Sequence, residues 1–200
     1  MIEAVPAEKI PSTRGFIMPQ FRRAVLVASV LLPLALGAGP RPREPFVVPV
    51  PGRGWQIRFE APPLKDYMGR SRGDDFQFQG VGVEGFNVTA FVEAPANERP
   101  GHEACSEHYW PMAKRNPLID QASVQVSKAP RFVRVAYLIA PPGNANGKVN
   151  RHVNYFIAHQ GRWLDVHISQ SPPSPDEDEV FAAFEKSLAC GPSRPQPPTP

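Results

Sequence analysis

Between residues 54 and 191 apolar and polar residues alternate with a period of two. That is the pattern of a strand with one buried and one wet face, and it restricts the chain to a sheet-based fold. Trp55, Ile57 and Phe59 alternate with Gln56, Arg58 and Glu60, and Phe76 and Phe78 alternate with Asp75, Gln77 and Gln79. Residues 86–93, 122–128 and 131–140 are further strand candidates. The Pro-Pro-Gly-Asn-Ala-Asn-Gly run at 141–147 is loop chemistry that turns the chain back. The sharpest local signal is a hairpin of 152–159 with 162–169 joined at Gln160-Gly161. Its register places Ile157 on Leu164, Tyr155 on Val166 and Val153 on Ile168, an entirely apolar face. A slip of one residue would mix the two faces. The opposite face carries Asn154, Phe156, Ala158, Trp163, Asp165 and His167.

Two segments break this period. Ser174-Pro175-Asp176-Glu177 reads as a helix start, with Ser174 as cap, Pro175 at the first position and Glu177 as capping-box partner. Phe181, Phe184 and Leu188 then form one apolar stripe, and Gly191 is the expected stop. An earlier helix starts near His102 and runs through Cys105 and Tyr109, with Pro111 kinking or ending it. The expected fold class is α+β, an antiparallel sheet of six or seven strands with two helices packed on one face.

Proline delimits this unit. Of 26 prolines, 9 fall in residues 1–53 and 5 in 192–200. The expected organisation is an N-terminal extension and signal peptide over 1–39, a Pro-rich linker over 40–53, one domain over 54–191 and a Pro-rich tail over 192–200. The signal rests on Arg22-Arg23 followed by thirteen uncharged residues, Ala24 to Leu36, and on small residues that suit cleavage after Gly37 or Gly39. The run is short of the ~20 apolar residues of a spanning helix, so no stable membrane span is expected after cleavage. Met18 is a second candidate start. The expected location is therefore periplasmic or secreted. Beyond residue 37 the chain carries 18 basic and 17 acidic residues, which leaves no electrostatic footprint for a nucleic-acid partner.

Export bears on the two cysteines, Cys105 and Cys190. An even pair in an oxidising compartment is expected to form a disulfide tying the two helices together; two buried free thiols are the alternative for a cytosolic chain. An 85-residue loop would, in the chain-entropy model, contribute on the order of 4–5 kcal/mol.

The succession of strands, helix, four strands and terminal helix resembles the PsbP-like α+β fold, named for an extrinsic subunit of photosystem II. The end of the chain carries the resemblance: Val153 to Ile157, the Gln160-Gly161 turn, Leu164 to Ile168, then Phe181, Phe184 and Ser187-Leu188. The resemblance implies a non-catalytic binding subunit, assembly factor or chaperone, often extracytoplasmic in bacteria. It transfers no functional residue to this chain.

No motif names a reaction. Gly80, Gly82 and Gly85 spell G-x-G-x-x-G, but a strand rather than a helix follows, so no dinucleotide and no other cofactor is expected. Asp165 and His167 lie two apart on the outer hairpin face beside Asn154, a pairing that can orient a base, yet no Gly-x-Ser-x-Gly elbow accompanies it. The more economical use of that face is recognition of an envelope protein, with Phe156 and Trp163 as anchors and Asn154, Asp165 and His167 as polar contacts. The other possibility is that a segment of the chain, such as the Pro-rich spacer, covers it. The expected function is an accessory subunit, assembly factor or inhibitor acting through this exposed face. The alternative is a metal-binding protein or metal-dependent enzyme using His102 and His108, or His152 and His167.

Overall fold

The computed structural model describes residues 41–140 and 149–193. The signal region, the 141–147 loop and all of the tail beyond Ser193 lie outside the described residues. The elements follow the order β1 (Glu44–Val50), β2 (Trp55–Ala61), β3 (Leu64–Arg72), β4 (Asp75–Gly82), β5 (Phe86–Glu93), α1 (His102–Ala113), β6 (Ile119–Ala129), β7 (Phe132–Ile139), β8 (Asn150–His159), β9 (Arg162–Gln170), α2 (Glu177–Ser187) and β10 (Ala189–Pro192). A seven-stranded antiparallel sheet has the order β3-β4-β5-β9-β8-β7-β6, and a three-stranded sheet the order β1-β2-β10. No helix among the described residues is long and apolar enough to cross a membrane.

The hairpin forms in the expected register, with Ile157 opposite Leu164, Tyr155 opposite Val166 and Val153 opposite Ile168. Gln160 and Gly161 both take positive φ, 46° and 69°, as a two-residue turn between twisted strands requires. The apolar face of this hairpin joins Phe86, Val88 and Ala90 of β5 and Phe76 and Phe78 of β4 in the main core. The small sheet and α2 close that core from the other side through Trp55, Ile57, Phe59, Phe181 and Phe184. Phe59 and Phe184 meet at 5.0 Å between centroids.

Several expectations are corrected. The helices do not share a face: α2 packs in the main core, whereas α1 lies on the opposite face of the large sheet over Phe156, Trp163, Val133 and Val135. Residues 44–50 are not spacer but β1, with Phe46, Val48 and Val50 paired to Phe59, Ile57 and Trp55. Its prolines, Pro45 and Pro49, share one parity on an edge strand, where a missing N–H is tolerated. Arg41 fastens this end to the domain. Its buried guanidinium donates to Asp176 Oδ2 (2.8 Å), Ser174 Oγ (2.6 Å) and Gln170 Oε1 (3.3 Å). That hydrogen bond holds the Asp176 carboxyl down at about 2.

Because Ser174 serves Arg41 and donates to Asp176, it does not cap the helix, which starts two residues later with Asp176 in the cap position. Nor does Gly191 end it. Arg131 donates to the carbonyls of Lys186, Leu188 and Glu185 at the C-terminus of α2, and the chain re-enters a sheet as β10. Gly85 has a packing role: at φ +83° a Cβ there would lie 1.6 Å from the Ser171 carbonyl oxygen.

Candidate functional site

The expected disulfide is absent. Cys105 and Cys190 are free thiols, and the sheet explains why. Cys105 is carried by α1 and buried between that helix and the outer face, where its Sγ donates to the Leu164 carbonyl at 3.4 Å. Cys190 is not on a helix but on β10, packed against the main core on the other side. Burial first, and nearby Asp165 second, push the Cys105 thiol up to about 12. Burial pushes Cys190 to about 12 as well, so neither is held as a nucleophilic thiolate.

The helix site for a metal is not assembled either. His102 Nδ1 accepts a hydrogen bond from the Ala158 N–H at 2.8 Å, while the His108 ring turns onto Trp163, 5.4 Å between centroids. No group of three or more His, Cys, Asp or Glu is placed to hold a metal among the described residues. His102 instead lines a cleft of about 450 Å³ between the 97–101 loop and the hairpin turn, with Arg99, His159 and Arg162.

The outer hairpin face, expected to be exposed, is roofed. Phe156 is fully buried and Trp163 is 1% exposed. Tyr109 of α1 lies parallel to Phe156 at 6.2 Å and edge-on to Trp163 at 6.4 Å. The cover is α1, not the spacer. The polar members of the face survive as a network at the margin of this roof. Tyr137 Oη donates to Asn154 Oδ1 (3.0 Å), and Asn154 Nδ2 donates to Asp165 Oδ1 (2.7 Å). On the next row His152 Nδ1 and His167 Nε2 are 3.0 Å apart, and Tyr109 donates to Glu93 at 2.8 Å. Desolvation raises the Asp165 carboxyl to about 6, although the Asn154 bond opposes this. Desolvation also lowers His152 to about 4 and, with its neighbour His152, His167 to about 3.

Past His167 the roof ends. The outward residues of β5 and β4 continue the same rows: Thr89 opposite His167, Gln79 opposite Thr89 and Met68 opposite Gln79. The outward positions of β4, Gln77, Gln79 and Val81, are exposed, as is Met68 at 50%. This three-strand platform of amides, a hydroxyl and a few apolar side chains ends at β3, a nine-residue edge strand exposed along nearly its whole length. The alternation of Gln77 and Gln79 was visible in the sequence. Which polar face stays open depends on where α1 lands, and that is set by tertiary packing.

The chain matches no family model, and no curated protein is similar to it in sequence.

Proposed function

We propose that the protein is an exported, periplasmic or secreted binding module without catalysis of its own, with PsbP-like architecture. It serves an envelope protein as accessory subunit, assembly factor or inhibitor. The observation that carries this reading is the exposed outer face of β3 and β4, continued by half-buried Thr89 of β5, which ends at a strand edge unpaired among the described residues, while α1 covers β7, β8 and β9. A partner segment laid along β3 would gain main-chain hydrogen bonds from the edge, and Met68, Gln77 and Gln79 would read its side chains. The free thiols held protonated by burial and the separated His102 and His108 also favour recognition over chemistry.

The test contrasts the wild type with one triple variant, each as the full chain crosslinked in its native envelope. Met68→Ala/Gln77→Ala/Gln79→Ala touches only exposed positions. It is expected to keep the wild-type melting curve and to lose the crosslinked partner. The reading is overturned if that triple variant retains every partner of the wild type, or if the wild type has none.

A further inference from the structure

We propose that His152 and His167 form a two-histidine site for Cu(II) or Ni(II), independent of the platform proposed above. The nitrogens His152 Nδ1 and His167 Nε2 are 3.0 Å apart, the ring centroids 5.2 Å, and the ring planes 17° from parallel, so the rings meet nitrogen to nitrogen. They come from adjacent strands of the rigid hairpin, where His152 faces Ser169 and His167 faces Asn154 in register. Tyr137 lies against the other side of His152, 5.4 Å between centroids and 13° from parallel. Both histidines keep part of their surface in solvent at the end of the roof.

The donor type favours the metal: imidazole nitrogen suits Cu(II) and Ni(II), and Cu(II) binds most tightly among the divalent first-row ions. With metal–nitrogen bonds of about 2.0–2.1 Å, two nitrogens 3.0 Å apart subtend about 91–97° at the ion. That is close to the cis angle of a tetragonal ion. Each ring must turn about 40° from its hydrogen-bonded pose to aim its lone pair at the shared point. Proton balance is simple. The neutral pair holds one bridging N–H; on metal binding that proton moves to the far nitrogen of the donor ring, both rings stay neutral and none is released. The pair supplies two equatorial ligands, and water or a small chelating molecule takes the rest.

The experiment is titration of the full chain with Cu(II) alone, followed by electron paramagnetic resonance. One equivalent with a tetragonal signal coupled to two nitrogens is expected. His152→Gln and His167→Gln are each expected to weaken binding at least about tenfold, while the control His102→Gln/His108→Gln leaves it unchanged. If a glutamine variant fails to fold, the wild type decides: substoichiometric Cu(II) must broaden the ring resonances of His152 and His167 before those of the other three histidines. Binding unchanged in His167→Gln, a signal with fewer than two nitrogens, or broadening of His102 or His108 first would overturn the site.

Discussion

The outer face of the large sheet is roofed over β7, β8 and β9, with Tyr109 of α1 reaching Glu93 at the end of β5, and open over β3 and β4. Over the roofed half the outward positions hold Val133, Val135, Phe156 and Trp163, which offer enough apolar area to repay a helix for its ordering. Over the open half they alternate Gln77, Gln79, Asn87 and Thr89 with the scattered apolar Val81, Phe91 and Met68, and the amides and hydroxyl would need partners to be desolvated. The helix goes where the apolar area is. Polar side chains caught at the border, Asn154, Asp165 and His167, are tolerated because they bond to Tyr137, to one another and to His152.

The largest expected difference between the halves is in packing. Trp163→Ala should cost about 3–5 kcal/mol in urea unfolding, while Gln79→Ala should stay within about 0.5 kcal/mol of wild type. A Trp163→Ala loss below about 1 kcal/mol would show that α1 does not seal the face. A smaller effect of opposite sign is expected at the border. Asp165→Asn removes a buried charge while leaving an acceptor for Asn154, so it should stabilise the domain by about 1–3 kcal/mol at pH 8. The gain should vanish below the ordinary carboxyl range, where the aspartic acid is protonated in both folded and unfolded chains. A gain that persists at pH 3 would point to something other than charge.

The histidines work the other way. Their folded-state basicity is depressed, so the unfolded chain takes up protons first. Stability is expected to fall as pH drops from about 6.5 toward 4, where His152 itself begins to charge. Asp165, raised to about 6, takes its proton more readily when folded and offsets one of the two histidines. Melting temperature against pH, for wild type and His167→Gln, tests this, and the variant should show the flatter acid limb. A variant limb as steep as wild type would place the proton uptake elsewhere. The smallest effect concerns the cysteines. Reductant should leave the melting temperature unchanged, and denatured protein should show two thiols without prior reduction. Finding none would restore the bridge that the sheet now separates.

Much of the fold was legible in the chain. The hairpin register, β5 and the start of α1 follow from local period, turn chemistry and helix-start residues, because each depends on neighbours a few positions away, whereas α1 runs on through Pro111 to Ala113. The capping box at Ser174 failed because Arg41, 133 residues distant, claims that hydroxyl. β3 was hidden because an edge strand exposed on both faces needs no apolar alternation and is held by main-chain pairing with β4. β1 was hidden because its prolines read as a spacer until β2 supplies the partner.

The residues expected to form the site divide in the same way. Their grouping on one strand face follows from a period of two and was correct: Asn154, Phe156, Trp163, Asp165 and His167 do share the outer face. Their exposure was not in the sequence, because burial is a property of what packs on top. What the chain determined by itself is therefore which side chains stand together. What only the tertiary structure decided is which of them meet water. The 3.0 Å approach of His152 to His167 and the opposite sides taken by Cys105 and Cys190 were decided there too, since both depend on how two strands, or two faces of one sheet, are set in space.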